Sequence, residues 1–515
     1  MFRLLYKKLR FACAKQQKKE PSPQEQRLKK DLDKNIDAIK QALGDSADIK
    51  MHYFCFGAVN TRGVLMFVDG LVNTQTITET IMRPLMETCA KAPTACEVQS
   101  AILCSGDVTE TASLDALIAG FLTGDTAVLI DGEASGLIVS TKGWDKRSVT
   151  EPQSESVVRG PREGFTENFR TNTALMRRRI KSPQLRMDHM IIGHKTLTNV
   201  CVSYIQGVAS PAVVEEVKRR LEALEIDSVL DTGYLEQYIE DSPMSIFPTV
   251  SYTEKPDVAA GRVLEGRIAI IADGTPFVLT APKLFIESFQ TSEDYYVRPL
   301  YASMTRILRF LAYFIAAFAP AIYIALTTFH QELIPTTLLN TIAASREGTP
   351  FPAFLEALIM VFAYEILREA GVRLPRPVGS AISIVGALIM GDAAVSAGIV
   401  GAPMVITIAI TAVAGFVVPE QTESAAFMRL ISMVMAAFLG GYGIAIAFLG
   451  MLIHLAALKS FGVPYFTAIT FSRDQQDIYV RMPLWMMKER PADIAEGDIT
   501  RRRTGTPPPG GNQNE

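Results

Sequence analysis

The chain has 515 residues, with 51 Lys and Arg against 54 Asp and Glu. This length favours more than one domain, and the near-neutral charge argues against a protein that binds nucleic acid. Charged residues crowd into residues 1–300 and 470–515, whereas the residues between them are strongly apolar. The composition therefore predicts a soluble region, a membrane region and a short polar tail.

The first 30 residues are basic and lack the sustained apolar core of a secretory signal. We expect residues 1–30 to form a solvated, disordered leader. The alternative is a basic arm that lies on anionic lipid.

Two stretches of the soluble region share one pattern, at residues 51–72 and 190–210. Each reads as a strand, a polar turn, a second strand closed by a glycine, and then a helix. Later in each half a hairpin turns on an Asp-Gly step, at Asp131-Gly132 and Asp273-Gly274. Such a step favours a hairpin because the glycine accepts positive φ. We therefore expect two α/β subdomains of similar topology, the alternative being a chance likeness between two α/β domains.

The predicted cytoplasmic organisation is a first subdomain over 31–150, a linker over 151–189 and a second subdomain over 190–295. The linker contains a basic helix with three consecutive arginines, Arg177, Arg178 and Arg179. Consecutive residues spread around a helix and do not form one patch. They are candidates for contact with a neighbouring subunit or with lipid phosphate, and a solvated basic face is the equal alternative.

The soluble region lacks the motifs of the common catalytic sites. It has no phosphate-binding or dinucleotide-binding glycine loop, no zinc-protease motif and no nucleophile elbow. None of the six cysteines forms a C-x-x-C pair, and no histidines lie at metal-ligand spacing beside them. We therefore expect reduced structural thiols, no metal, no cofactor and no enzymatic activity.

The predicted transmembrane domain, residues 300–460, opens with the apolar run Ile307–Phe329. At 1.5 Å per residue this run crosses a hydrocarbon core of roughly 30 Å. Arginines at its start, Arg306 among them, place its N-terminal side in the cytoplasm by the positive-inside tendency. Pro320 interrupts the run, and such a kink is tolerable if a neighbour satisfies the freed carbonyl.

The next apolar segment carries charges that a lone helix would not place in lipid. Glu356, Glu365 and Arg368 lie within it, and the last two are three residues apart on one helical face. The segment is predicted as a short span or an interfacial helix. The two glutamates either contact an ion path or form buried pairs and subunit contacts.

Residues 379–398 are apolar but rich in Gly, Ser and Ala. Four small residues recur at intervals of four and line one helical face: Gly379, Ser383, Ala387 and Gly391. Small residues allow membrane helices to approach closely. The stripe therefore serves tight packing, or it lines a narrow pore in which Asp392 favours cations.

Two further apolar stretches complete the predicted membrane region, Ala402–Glu420 and Phe427–Leu458. The second is too long for one upright span, so it is a tilted helix or two segments broken at Gly440–Gly443. These options leave four, five or six crossings. The basic tail, residues 461–515, is expected in the cytoplasm and disordered at its end.

The chain resembles the A subunit of GerA-type spore germinant receptors. The stretches that carry this resemblance are "VDGLV" at 68–72, "GPREGFTENFRTNTALMRRRIKSPQL" at 160–185, the run at 356–405 that contains "REAGVRLPRPVGSAISIVGALIMGDAAVSAG", and 461–491. They follow the family order over nearly the whole chain. Two departures are "GVPYFTAIT", where a Leu-Ser-Pro-like turn is usual, and Asp392, where an uncharged polar residue is common.

The resemblance implies a multi-pass protein of the spore inner membrane with a cytoplasmic N-terminal region. It implies a transporter-like B subunit and a lipoprotein C subunit as partners, and assembly into pentamers that form a nutrient-gated ion channel. The alternatives are a paralogue that amplifies ion release without sensing nutrients, and a non-conducting scaffold. The nutrient, the gate residue and the number of crossings stay open.

Overall fold

The computed structural model describes residues 26–44, 46–88, 95–99, 103, 107–143, 152, 155, 157–373, 391–466, 477–491 and 494–501. The chain divides into two compact units. The first is Met1–Trp144 with Lys181–Pro183, and the second is Asp145–Ile180 with Gln184–Glu515. Most of the predicted leader, residues 1–25, lies outside the described part of the chain.

The first unit contains a five-stranded antiparallel sheet in the order β1-β2-β4-β5-β3. Its strands are β1 Ile49–Phe56, β2 Thr61–Val68, β3 Val108–Thr111, β4 Thr126–Ile130 and β5 Gly136–Val139. Its helices are α1 Leu32–Leu43 and α2 Leu114–Leu122, with a helical run over Thr74–Ile77, Thr78–Met82 and Arg83–Glu87. β4 is buried along its whole length, because side chains pack against both faces of the sheet.

The second unit contains a sheet of the same topology, in the order β6-β7-β9-β10-β8. Its strands are β6 Leu185–Ile192, β7 Thr198–Ile205, β8 Ser251–Thr253, β9 Ile268–Ala272 and β10 Val278–Ala281. Its helices are α3 Phe169–Arg179, α4 Pro211–Glu222, α5 Thr232–Ile239 and α6 Pro256–Leu264. The identical strand order confirms the prediction of two similar α/β subdomains.

The Asp-Gly hairpins play the same part in both sheets. Asp131 accepts a hydrogen bond from the Leu32 N–H at the start of α1, and Asp273 accepts one from the Phe169 N–H at the start of α3. Both bonds are 3.3 Å long. Each aspartate therefore caps the helix that enters its own sheet, since the first N–H groups of a helix have no partner within it. α3 consequently packs on the second sheet, although its sequence was assigned to the linker.

A buried asparagine closes the loop before each of these two helices. Asn35 accepts from the Lys29 N–H and donates to the Lys29 carbonyl, at 2.8 and 2.6 Å. Asn172 makes the same two bonds with the backbone of Thr166, at 2.8 and 2.5 Å. This repeated pair of hydrogen bonds from a buried asparagine is a second feature that the two subdomains share.

The two faces of the second sheet belong to different cores. Alternate residues of β9 point to opposite faces, as in any strand. Ala269 and Ile271 pack with α3 and α6, whereas Ile268 and Ile270 join a core that includes α4 and α5. The second core continues without interruption into the apolar helices, through side chains such as Tyr313.

Six longer helices follow among the described residues of the second unit, besides a helical segment at residues 391–396. They are α7 Pro299–Thr328, α8 Thr336–Arg346, α9 Ala353–Arg373, α10 Ala402–Val417, α11 Thr422–Leu439 and α12 Gly441–Ala457. α11 and α12 separate at Gly440, whose φ of 59° is a conformation that glycine adopts readily. The long apolar stretch thus forms two segments broken at the glycines, which was one of the two alternatives. Short 3-10 turns at Phe285–Phe289 and Ser292–Tyr295 precede α7.

We predict that Asn172→Ala destabilises α3 by about 1–3 kcal/mol, because a buried backbone N–H and C=O each lose a hydrogen-bond partner. Hydrogen exchange across residues 166–179 of the full chain should speed up accordingly. Asn199→Ala is the matched control, since Asn199 is exposed on β7. Equal exchange rates across residues 166–179 in the two variants would contradict the stabilising role of Asn172.

A carboxylate on α5 makes stability depend on pH. Burial, and then the nearby charge of Glu240, raises the pKa of Glu236 from 4.5 to about 7. In the window between these values the folded chain binds more protons than the unfolded chain. Its contribution to stability is therefore lost as the pH rises through that window.

We predict that Glu236→Gln flattens this pH dependence, because the amide does not titrate. After correction for the intrinsic pH dependence of amide exchange, the protection of α5 in the wild-type chain should fall between pH 4.5 and pH 7, the window set by the raised pKa. Glu225→Gln, at an exposed position, should keep the wild-type slope. A rise in wild-type stability over the same window would show that the sign is wrong.

Candidate functional site

Two helical segments are long and apolar enough to cross a membrane, Pro299–Thr328 and Pro419–Leu439. α10 and α12 are apolar but shorter, with 16 and 17 residues. The described residues therefore supply two candidate spans, and the four to six crossings expected from the sequence are not confirmed. Charged side chains among these helices mark the candidate site.

The proline inside α7 is compensated by α11. Pro320 cannot donate to the carbonyl of Ala316, which would be its partner in an uninterrupted helix. Arg429 Nε donates to that carbonyl at 2.9 Å, and Ser432 Oγ donates to the next one, of Ala317, also at 2.9 Å. α11 thus supplies the neighbouring donors that a kinked apolar helix requires.

The same arginine forms the centre of a charged cluster. Arg429 Nη1 lies 3.0 Å from Glu365 Oε1, and Arg368 lies 2.8 Å from the other oxygen of Glu365. The Arg429 side chain is only 2% exposed, and its guanidinium stands over the ring of Tyr364. The predicted pair of Glu365 with Arg368 is present, and Arg429 ties it to α7 and α11.

Glu356 lies in a separate buried cluster at the start of α9. It is fully buried, and it accepts from Thr349 Oγ1 at 3.1 Å and from the Gly401 N–H at 3.4 Å. Arg346 Nε lies 3.6 Å from its carboxylate. Gly401 precedes α10, so the carboxylate also faces the positive end of that helix. These contacts favour the structural interpretation of Glu356 over a place on an ion path.

The small-residue stripe is described only in part. Gly379, Ser383 and Ala387 lie outside the described residues. Gly391 is buried, and a Cβ added there would lie 3.3 Å from Val405 Cγ1 of α10. The adjacent Asp392 is exposed and has no ion-pair partner among the described residues. Close packing and an exposed carboxylate thus occur side by side in the helical segment 391–396.

The three consecutive arginines do not form one surface. Arg177 is fully buried, so its side chain is not available to a neighbouring subunit. Arg178 and Arg179 both donate to the carboxylate of Glu163. Burial acts to raise the pKa of Glu163, but the two arginines outweigh it and lower that pKa. The pairs with Glu163 close the loop before α3. A buried Arg177 does not fit the predicted contact with a neighbouring subunit.

A second charged junction, not predicted from the sequence, anchors the start of α7. Arg306 is buried and lies 2.9 Å from Asp294 and 2.8 Å from Asp477. Arg309 pairs with the same Asp294 at 2.9 Å, and Tyr295 donates to Asp477 at 2.8 Å. Burial raises the pKa of Asp477. The arginines that predict a cytoplasmic N-terminal side of α7 therefore also connect α7 to Asp294 and Asp477.

The sequence did contain a signal for Arg429. It is a lone arginine within an otherwise apolar stretch, and such residues rarely face lipid. No comparable signal existed for Asp477, which lies 171 residues from Arg306 in the chain.

The C-terminal tail also packs on the second subdomain. The Asp498 N–H donates to the Gly207 carbonyl at 2.7 Å, and the Glu496 N–H donates to the Val208 carbonyl at 3.3 Å. At Gly497 an added Cβ would lie 2.1 Å from the Gly207 oxygen, so only glycine fits this approach. Residues 494–501 are thus an ordered strap on the turn after β7.

Comparison with known proteins decides the family. A family model described as the Bacillus/Clostridium GerA spore germination protein matches residues 37–493. The chain belongs to the GerA family. It is 45% identical to spore germination protein KA of Bacillus subtilis over 92% of this chain and 88% of that protein. It is 42% identical to the uncharacterized membrane protein YfkQ of the same organism, over 92% and 93%.

A solved relative covers the N-terminal half of this GerA-family chain. It is the crystal structure of the N-terminal domain of the A subunit of the Bacillus megaterium spore germinant receptor GerK3. The sequence identity is 34%, the match covers 51% of this chain and 98% of that one, and the TM-score is 0.40.

We predict that Arg429→Met destabilises this GerA-family chain by about 3–5 kcal/mol, because it leaves Glu365 and a buried carbonyl without their partner. Thermal unfolding of the full chain in nanodiscs measures the change. Arg373→Met is the matched control, since its pair with Glu369 is exposed and worth about 0–1 kcal/mol. Equal melting temperatures for the two variants would refute the role given to Arg429.

Proposed function

We propose that this chain is the membrane subunit of a spore germinant receptor and that it assembles with copies of itself into a nutrient-gated ion channel. In this proposal the spore inner membrane holds α7 and α11 as spans, and the shorter α10 and α12 cross with them. The soluble subdomains lie on the cytoplasmic side. Membership of the GerA family and the two candidate spans support this reading.

Asp392 carries the argument for conduction. The buried Gly391 turns one side of the segment 391–396 toward α10, and Asp392 is exposed beside it. Ionised side chains in membranes face protein or water, because exposure to hydrocarbon is costly. In an assembled membrane protein Asp392 therefore faces a water-filled path or another subunit. A ring of such carboxylates around a common axis would favour cations.

The charged clusters supply a frame that such a channel needs. Arg429 and Arg368 both pair with Glu365, and the Arg429 pair holds α9 and α11 together. The Arg306–Asp477 pair joins the start of α7 to the segment that leads into the C-terminal strap. A movement of the second subdomain would thus reach the first span through charge-assisted bonds and would not be absorbed by a flexible linker.

The proposal includes the partners that the family resemblance implies. A transporter-like B subunit would sense the nutrient, a lipoprotein C subunit would complete the receptor, and five copies of this chain would surround the pore. In this proposal Gly379, Ser383 and Ala387, which the spacing of four places on the same helical face as Gly391, would let the helices pack closely beside the path that Asp392 faces. Glu356, Glu365 and Arg368 would support the helices and would not contact the ions.

We predict that Asp392→Asn slows cation release from germinating spores by about fivefold, since a unit charge in water acts on a cation 4 Å away with about 1 kcal/mol. Asp392→Lys should slow it further. Potassium efflux after nutrient addition measures the rate, with protein levels checked in the spore membrane. Glu347→Gln, another exposed carboxylate, is the control and should leave efflux unchanged.

Unchanged efflux in both Asp392 variants would overturn the conducting role and favour a scaffold. Cation conductance of the purified chain in liposomes, lost in Asp392→Lys and retained in Glu347→Gln, would support it directly.

A further inference from the structure

A charged hollow lies in the second unit, away from the clusters between the apolar helices. Two adjoining cavities of about 380 and 240 Å³ share the side chains of Glu265, Arg267, Glu287, Gln290 and Arg501. Volumes of roughly 300–1,000 Å³ are typical of pockets that bind small molecules. The larger cavity therefore has room for a ligand.

Two carboxylates in this hollow are incompletely satisfied. Glu287 Oε1 accepts from Arg267 at 2.7 Å, but Glu287 Oε2 is buried and accepts no hydrogen bond from any described residue. The same holds for Asp257 Oδ1 in the smaller cavity. Their side chains are only 7% and 5% exposed. Because buried polar atoms are nearly always hydrogen-bonded, these two oxygens indicate a missing donor.

The surroundings indicate what kind of donor fits. Four carboxylates and three basic side chains line the larger cavity. One of the four, Asp477, is paired with Arg306, so the acceptor atom that still needs a donor is Glu287 Oε2. Its other walls are apolar and include Leu284, Ile286 and Met487. A donor that suits this combination is positively charged at one end and apolar at the other.

We propose that this hollow is a binding site for a small organic ammonium compound. Its ammonium group donates to Glu287 Oε2, and its short apolar body lies against Leu284, Ile286 and Met487. The existing pair of Arg267 with Glu287 Oε1 holds the carboxylate in place and leaves the second oxygen free for the ligand.

The larger cavity lies next to a residue that pairs with the first apolar helix. Gln290 and Asp477 both line the larger cavity, and Asp477 pairs with Arg306 of α7. A ligand in the cavity would therefore contact the junction at the start of the first candidate span. The binding itself does not depend on ion conduction, so the two proposals can fail separately.

The test uses the full chain in zwitterionic phosphatidylcholine nanodiscs and ligand-observed NMR titration. The probe is n-butylammonium, and n-butanol is its uncharged counterpart. We expect n-butylammonium to bind the chain and not to bind empty nanodiscs, with an affinity at least about tenfold above that of n-butanol, because a charge-assisted hydrogen bond is lost in the alcohol.

Glu287→Gln should weaken n-butylammonium binding about tenfold. Met487→Trp should block it by filling the cavity, and this variant keeps the test decisive if Glu287→Gln does not fold. Glu133→Gln in the first unit is the control and should bind as the wild type does. Absence of n-butylammonium binding, equal binding of n-butanol, or wild-type affinity in Met487→Trp would overturn the proposal and leave the cavity as a water-filled space.

Discussion

The apolar helices of this chain depend on one requirement, that each charge or freed backbone group buried among them finds its partner inside the protein. Arg429 meets two such requirements at once. It donates to the Ala316 carbonyl that Pro320 leaves free, and it neutralises Glu365. In lipid no water would replace either partner. From its place on α11, Arg429 therefore links α7 and α9 through one side chain.

The two subdomains have one fold but different surroundings. Both sheets have the same strand order, and both use an Asp-Gly hairpin and a buried asparagine to fix the entering helix. In the second copy, one face of the sheet shares its core with the apolar helices. The second subdomain and those helices are therefore packed together through one hydrophobic core.

The C-terminal segment adds a second connection to the same subdomain. Asp477 binds Arg306 at the start of α7, and the strap at 494–501 lies on the turn after β7. The larger of the two cavities is lined by side chains from both attachments, Asp477 and Arg501. A cavity, a charged junction and a shared core thus lie near the base of the first candidate span.

The sequence by itself determined the features that depend on neighbouring residues. The Asp-Gly hairpins follow from the positive φ that glycine tolerates. The glycines at Gly440–Gly443 offered a break, but the structure was needed to decide between two segments and one tilted helix. The length of the apolar run of α7 and the family order of its motifs are likewise readable without a structure. The pair of Glu365 with Arg368 could be predicted because residues three apart share a helical face.

Only the tertiary structure decided which distant groups meet. Arg177 became buried, α3 joined the second sheet, and Arg306 found Asp477 far along the chain. Local sequence cannot reveal such partners, because the choice depends on how whole elements pack. A charged side chain forms an ion pair with the opposite charge that the fold places within a few ångströms of it.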